Sequence, residues 1–258
     1  MYNLRGSPSY RQKVLHYEKT RPAKVSIGER RKPAPNGVPG YLRIDTVHQG
    51  DSPEGKGLYH INAVDEVTQW EIVAATPFIS ESYLLPVLEA ILRQFPFAIK
   101  GFRSDNGSEF INQTVARLLG KLLIEQTKRR ARQSGDNELV ETKNAAIVRK
   151  HMGFGHIAPV HADRVNQFHA GFLNPYANFH RPCAQPEVDI DPKGRKRRRY
   201  KQWLTPLEKL LSLDQPEQYL RQGRSVAALE RAAGALSDTE AAVRLQRARD
   251  AMFHDLAA

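Results

Sequence analysis

The sequence has almost no cysteine: among its 258 residues, Cys183 is the only one. An intramolecular disulfide is therefore excluded, which fits a reducing compartment. No set of Cys and His residues has the spacing of a zinc site. No apolar run reaches the roughly 18 residues of a membrane span, and the first residues lack the apolar core of a signal peptide. We therefore expect a cytoplasmic protein without a membrane partner.

Acidic residues are also scarce, with 28 Asp and Glu against 39 Lys and Arg and a formal net charge of +11. Such a balance favours a polyanionic partner, either nucleic acid or an anionic membrane surface. The positive charge is clustered: four of the five residues from Lys128 to Arg132 are basic, as are seven of the nine from Lys193 to Lys201. The clustering favours nucleic acid. The hydrophobic content of 40% suffices for a packed core.

Composition divides the chain into three parts. Residues 1–35 form a basic segment and linker, with a short helix predicted over residues 9–19. Residues 36–206 contain the alternating and helical patterns of a folded core with a basic tail. Residues 207–258 are rich in Ala, Leu and Arg and are predicted to be a helical C-terminal extension.

Within the core, the period of the hydrophobic residues alternates between that of strands and that of helices. Strands are predicted over residues 41–49, 57–64, 69–78, 97–102 and 122–126, and helices over 80–95, 112–121, 136–150 and 161–173. The connection over residues 65–69 suits a hairpin loop. The order of the elements predicts an α/β fold with a five-stranded sheet flanked by helices.

Two C-terminal features have open interpretations. The run 193–201, with Tyr200 and the nearby Trp203, could bind DNA by charge and stacking or could be a solvated tail. Ser237-Asp-Thr-Glu240 is a capping-box pattern that begins a helix with an apolar stripe. That helix is either an appendage that packs on the core or a specific interaction module.

Three acids stand in informative positions: Asp45 within the first predicted strand, Asp105 at the end of the fourth, and Glu141 one turn into the third helix. Carboxylate oxygens are suitable ligands for Mg²⁺, and two metal ions can activate a nucleophile and shield a phosphate. Taken singly, an acid at a strand end usually serves a turn, and one on a helix is usually solvated. Asp45 departs most from this, because an acid within an apolar strand is costly without a partner.

The local frames of these acids resemble a known family. The chain resembles the DDE integrase catalytic core, which retroviral integrases share with many bacterial transposases in the ribonuclease-H-like superfamily. The matching segments are Ile44-Asp-Thr-Val47, Ser104-Asp-Asn-Gly-Ser-Glu-Phe-Ile-Asn112 and Asp136-Asn-Glu-Leu-Val-Glu-Thr-Lys-Asn144, and Tyr176-Ala-Asn-Phe-His-Arg-Pro182 resembles the segment that follows the core in bacterial members. The 35 residues between Asp105 and Glu141 match the family spacing.

The resemblance implies a ribonuclease-H-like fold and a transposase or integrase that nicks DNA ends and transfers strands. Asp45, Asp105 and Glu141 would be the catalytic and metal-binding triad, holding two Mg²⁺ ions or Mn²⁺ in their place. The partners would be element ends and target DNA, bound by a homo-oligomer. A bacterial, nucleoid-associated location follows when the protein is bound to DNA.

Other polar residues compete for the site. Asp65 is expected to serve the hairpin turn, Glu109 to cap or orient, Asp136 to cap the helix, and Glu138 to be solvated. His48 and His60 could approach the site, although structural roles are expected for both.

The predicted DNA-binding residues come from two basic runs and one helix. They are Lys128, Arg129, Arg130, Arg132, Lys143, Asn144, Arg195, Lys196, Arg197, Arg198 and Arg199. Arg groups contact phosphates bidentately, so these runs would position the DNA backbone without reading its sequence. Asn144 shares a helix face with Glu141 and could orient that acid or contact a phosphate.

Two alternative functions remain open. The chain could be a truncated or inactive copy that only binds DNA, because about 40 residues precede the core. It could also be a ribonuclease-H-like nuclease acting on RNA–DNA hybrids, which the frames around Asp105 and Glu141 disfavour.

Overall fold

A computed structural model describes residues 27–30, 34–53, 55–104, 110–128, 138–190 and 196–257, with the backbone alone at 188–190, 196–198 and 257. Several sequence predictions lie outside these residues. They are the helix over 9–19, Asp105, Glu109, Asp136, Arg129, Arg130, Arg132 and Arg195, together with the side chains of Lys196, Arg197 and Arg198.

A mixed five-stranded sheet forms the centre of the molecule, as the sequence predicts. The strands are β1 (Tyr41–His48), β2 (Asp51–Ser52), β3 (Gly55–Lys56), β4 (Tyr59–Asp65), β5 (Glu71–Thr76), β6 (Gly101–Ser104), β7 (Glu125–Lys128), β8 (Cys183–Ile190) and β9 (Lys196–Leu204). The sheet has the order β5-β4-β1-β6-β7, while β2–β3 and β8–β9 are separate hairpins. Strand β1 pairs antiparallel with β4 and parallel with β6.

Helices flank this sheet. The α-helices are α1 (Glu81–Gln94), α2 (Gln113–Lys121), α3 (Glu138–Lys143), α4 (Lys150–Met152), α5 (Ala162–Phe168), α6 (Pro206–Leu211), α7 (Val226–Gly234) and α8 (Asp238–Ala257). A π-helical segment, Asn144–Arg149, joins α3 to α4, and we call this continuous stretch the composite helix. Further π-helical segments span His169–Leu173 and Tyr176–His180, and 3₁₀ turns span Pro159–His161 and Pro216–Tyr219.

The two faces of the sheet are covered by different sets of helices. Because side chains alternate along a strand, Ile72 and Ala74 of β5 join one apolar cluster while Val73 and Ala75 join the other. The first cluster contains residues of α1, α2, α6 and α7, and the second contains residues of the composite helix, α5 and α8. Burial on both faces explains why every residue of β5 is buried.

The outer edge of β5 is closed by three asparagines. The side chains of Asn178, Asn174 and Asn166 each accept from one backbone N–H of β5 and donate to the carbonyl of the same residue, at Glu71, Val73 and Ala75 respectively. The distances range from 2.7 to 3.1 Å. These amides satisfy the edge groups that another chain could otherwise pair with.

The first three predicted strands and the hairpin turn are confirmed, but the fourth strand begins later than predicted. The prediction started it at Phe97, whereas β6 starts at Gly101. The preceding segment instead pairs with the C-terminal part of the chain: Ala98 N–H donates to the Tyr219 carbonyl at 3.1 Å, and Arg221 N–H donates to that of Pro96 at 2.9 Å. The fifth strand likewise begins at Glu125, after Leu122 caps α2 and Leu123 adopts a φ of 56°.

The β8–β9 hairpin was not predicted, because basic residues dominate its second strand. Its sequence contains a readable turn signal, Asp191-Pro-Lys-Gly194, between the two strands. The prediction of a helix over 161–173 is right in kind but short, since helical structure continues to His180.

The C-terminal extension packs against the core. Leu207, Leu210 and Leu229 belong to the first apolar cluster, and Leu245 and Met252 belong to the second. The predicted capping box is present at the start of α8, where Ser237 N–H donates to Glu240 Oε2 at 2.8 Å and Glu240 N–H donates to Ser237 Oγ at 3.3 Å. Helix α6 lies at the start of the predicted helical extension, and Thr205 and Glu208 form a second capping box there.

No helix in the described part of the chain is both long enough and apolar enough to cross a membrane.

Candidate functional site

Asp45 lies in the middle of β1 and is held by two hydrogen bonds. Its Oδ1 accepts from the Thr46 N–H at 2.9 Å, and its Oδ2 accepts from Asn144 Nδ2 at 2.7 Å. The side chain is half-buried, so part of it still faces solvent. The acid that looked costly within an apolar strand therefore has partners.

A second amide continues this arrangement. Asn62 sits directly opposite Asp45 on the antiparallel strand β4 and donates from Nδ2 to Asn144 Oδ1 at 2.9 Å. Asn144 is thus fixed on one side by Asn62 and offers its own Nδ2 to Asp45. We call Asp45, Asn62 and Asn144 the amide relay.

The composite helix carries Glu141 beside the amide relay. Glu141 precedes Asn144 by three residues, so the two side chains share one face of the helix. Val140, Ile147 and Val148 of this helix are buried. Arg149 donates from Nη2 to the His48 carbonyl at 2.8 Å. The helix is therefore fastened to β1 at both Asp45 and His48, while Glu141 itself is exposed. The π-helical segment begins at Asn144, in keeping with the frequent occurrence of such segments at functional sites.

Strand pairing brings Ser104, the residue that precedes the second acid, next to the strand that carries the first. Strands β1 and β6 are parallel neighbours, and Ile44 pairs with Ser104. Asp105 is the next residue in the sequence after Ser104, and it lies outside the described residues. Within the described ranges, no group of three or more Asp, Glu, His or Cys side chains could hold a metal ion.

Lys143 does not face solvent, contrary to what a DNA contact requires. It is 4% exposed, its Nζ lies 3.5 Å from Glu71 Oε2, and it donates to Cys183 Sγ at 2.9 Å. Burial raises the pKa of Glu71, while the Lys143 ammonium opposes that rise. The prediction that Lys143 binds DNA is therefore corrected, because its charge is used inside the protein to compensate Glu71.

The competing acids have the positions expected of them where they are described. Asp65 is fully buried in the turn after β4, where it accepts from Gly40 N–H at 2.7 Å and from Thr68 N–H at 2.8 Å. Burial raises its pKa, and these hydrogen bonds oppose the rise. Glu138 is exposed in the first turn of α3.

The two histidines near the acids have structural surroundings. His48 is half-buried, its Nε2 lies 3.4 Å from Asp51 Oδ1, and its ring packs on Tyr59. His60 is fully buried, with Nε2 3.2 Å from Gln49 Oε1. Burial lowers the pKa of His60, and the nearby His169 and Arg149 lower it further. His60 is therefore neutral and remote from solvent.

Three of the other predicted DNA-binding residues have described side chains. Lys128, at the end of β7, donates from Nζ to the Ile27 carbonyl at 2.7 Å. Arg199 is exposed on β9. Asn144 is engaged in the amide relay, where it donates to Asp45, whereas its predicted roles were to orient Glu141 or to contact a phosphate.

Asn62 was not identified from the sequence. The signal that could have found it is the one that marked Asp45, a polar side chain inside an otherwise apolar strand, Tyr59-His-Ile-Asn-Ala-Val64.

Comparisons with known proteins found similarity over only part of this chain. No family model matches the chain. A protein from Sinorhizobium fredii (strain NBRC 101917 / NGR234), described as uncharacterized protein y4rM, is 31% identical over 126 residues. The match covers 48% of this chain and 36% of that protein, so the chain spans about a third of the relative's length.

A solved chain from the complex of the simian T-cell lymphotropic virus intasome with PP2A regulatory subunit B56 gamma is also similar. It is 18% identical with a TM-score of 0.37, and the match covers 48% of this chain and 43% of the other. This likeness is too low for any conclusion about structure or activity.

Proposed function

We propose that the protein is a DDE-type polynucleotidyl transferase with a ribonuclease-H-like catalytic core, acting in DNA transposition or integration. The observation that carries the proposal is the meeting of Asp45 with the helix that bears Glu141, beside the strand that leads into Asp105. These three acids stand in the frames by which the sequence resembles that family. The resemblance names the three residues, and the pairing of β1 with β6 and the bond from Asn144 to Asp45 support the proposal.

The residues fit divalent metal ions in their chemistry. Carboxylate oxygens are the ligands that Mg²⁺ prefers, and both described members of the triad retain solvent access. Asp45, Asp105 and Glu141 would hold the ions. When bound, two such ions would activate an attacking oxygen, stabilise the leaving oxygen and shield the phosphate charge.

The surrounding residues have supporting roles in this proposal. Asn144 and the Thr46 N–H hold the Asp45 carboxylate in one orientation, so that its lone pairs are directed before DNA arrives. The basic run Lys128 to Arg132 precedes the composite helix in the sequence and would contact the DNA backbone. Arg199 would extend that contact on β9.

A strand-nicking assay tests the proposal. The substrate is a supercoiled plasmid that carries the DNA flanking the coding sequence, incubated with Mg²⁺, Mn²⁺ or EDTA. We expect metal-dependent nicking that Glu141→Gln reduces by about 100-fold or more, since losing a ligand should exceed the 10–100-fold cost typical of outer-shell changes.

Glu138→Gln is the matched control, because Glu138 is also exposed and lies three residues earlier on the same helix. It should nick DNA within a few-fold of the parent. Equal nicking by Glu141→Gln and the parent would remove Glu141 from the site. Metal-independent DNA binding by a parent that never nicks would instead favour a non-catalytic DNA-binding copy.

A further inference from the structure

A cavity of about 680 Å³ lies between the β8–β9 hairpin and the composite helix. Tyr200 and Trp203 line it from the hairpin, and Leu139 and Thr142 line it from the helix. Its volume falls within the roughly 300–1,000 Å³ that is usual for ligand pockets. The triad residue Glu141 lies on the same stretch of helix as Thr142 but is not part of this cavity lining.

The two aromatic rings reach the same cavity because of a β-bulge. Residues three apart on a regular strand point to opposite faces. Here Gln185 pairs with Gln202 while Pro186 pairs with Tyr200, so Lys201 is the extra, unpaired residue. A bulge of this kind re-aims the side chains beside it. Tyr200 and Trp203 consequently line one cavity although both remain solvent-accessible, at 54% and 67% exposure.

The charges around the cavity suit a nucleotide. Arg181 lines it and offers a guanidinium group for a phosphate, whereas Arg199, the neighbour of Tyr200 on β9, is not part of the lining. Glu66 also lines the cavity, held by Arg43 Nε at 2.9 Å, and offers carboxylate oxygen as an acceptor for a base amino group. Exposed aromatic rings beside a basic strand are the combination by which proteins bind single-stranded nucleic acid.

We propose that this cavity binds an unpaired nucleotide of a DNA strand, with its base stacked on Trp203 and Tyr200 and its phosphate on Arg181. The inference deepens the proposed function and rests on its premise that DNA is the substrate. It assigns the hairpin to holding a displaced or unpaired strand beside the catalytic helix, a role separate from that of the metal-binding acids.

Fluorescence provides a direct test, because Trp203 and the buried Trp70 are the two tryptophans of the chain. The full chain is titrated with an oligothymidylate of eight nucleotides, and separately with a short duplex, in EDTA. We expect the single strand to quench the fluorescence and to protect Trp203 from iodide. Trp203→Ala should weaken single-strand binding by roughly 5- to 150-fold, the usual range for loss of one stacked base.

Controls separate stacking from other causes. Trp203→Phe should retain most of the affinity, and Tyr83→Ala, which removes a ring of similar exposure on α1, should leave binding unchanged. Equal single-strand affinity of Trp203→Ala and the parent would overturn the proposal. So would an equal loss for single strand and duplex, since that result indicates contact with the backbone of paired DNA.

The outcomes are independent of cleavage. A chain that binds the single strand through Trp203 but never nicks DNA in Mg²⁺ keeps the nucleotide pocket and loses the proposed catalysis. If the parent nicks DNA but Trp203→Ala binds the single strand as tightly as the parent does, only the nucleotide pocket is excluded.

Discussion

Lys143 and Asn144 are adjacent in the sequence, yet their side chains enter two different polar clusters. Lys143 reaches Glu71 and Cys183 in a closed cluster where the Lys143 and Glu71 side chains are 5% and 1% exposed. Asn144 enters the open amide relay, where Asp45 is half-buried and the neighbouring Glu141 is exposed. One cluster is shielded from water, and the other faces it.

The difference between the two clusters indicates which charges can bind a ligand. In the closed cluster each charge is already compensated, so neither Glu71 nor Lys143 can bind a ligand without leaving the other buried and unpaired. In the open relay the Thr46 N–H and Asn144 Nδ2 are neutral donors, and these two contacts orient the Asp45 carboxylate without neutralising its charge. The expectation is that changes to the closed cluster alter stability and that changes to the open relay alter metal binding.

Breaking the closed cluster should have the largest effect. Lys143→Met leaves the Glu71 carboxylate buried without its cation, and we expect a loss of about 3–5 kcal/mol in the free energy of unfolding. Urea denaturation followed by far-UV circular dichroism measures it. The double variant Lys143→Met, Glu71→Leu should recover most of the loss, because it removes both charges. A single variant as stable as the parent would contradict the assignment of a compensating pair.

Lowering the pH should destabilise the protein through two histidines, His169 and His151. Burial lowers the pKa of His169 to about 3 and that of His151 to about 4, with neighbouring positive charges adding to the shift. Between pH 6.5 and these values the unfolded chain binds protons that the folded chain does not. The two neutral histidines therefore contribute their full stability above pH 6.5, and this contribution is lost as the pH falls.

For His169 we expect a loss of about 2–3 kcal/mol between pH 6.5 and pH 4. Urea denaturation at a series of pH values should show a shallower decline for His169→Phe than for the parent. His254→Gln is the control, since that imidazole is solvent-exposed, and it should keep the steep decline. Parallel curves for His169→Phe and the parent would show that His169 is not held neutral.

Loosening the open relay should have the smallest effect on stability and a specific effect on the site. Asn144→Ala removes the donor to Asp45 Oδ2, and we expect Mn²⁺ to bind about 10–100-fold more weakly. The free energy of unfolding should fall by only about 1 kcal/mol. Calorimetric titration with Mn²⁺ measures the affinity, and Thr142→Ala on the same helix should leave it unchanged. Unaltered Mn²⁺ affinity in Asn144→Ala would exclude a positioning role for that amide.

Local sequence patterns were sufficient for much of the fold. The period of the apolar residues gave the first three strands and helices that cover the sheet, and the Ser237-to-Glu240 pattern gave the capping box, because each depends on residues close in sequence. The predicted start of β6 was wrong because it depends on residues that are distant in sequence. Its preceding segment is paired with residues 219–221, and no local pattern could reveal that pairing.

The candidate site divides in the same way. By itself the sequence determined the α/β order, the frames of Asp45, Asp105 and Glu141, and the clusters of positive charge, since residue type and spacing are properties of the chain alone. Only the tertiary structure decided that Lys143 is buried, that Asn62 joins Asn144 across 82 residues and that Asn144 holds Asp45 across 99 residues. Such partners meet because strand pairing and helix packing bring distant segments together, and neighbouring residues on a helix then face different surroundings.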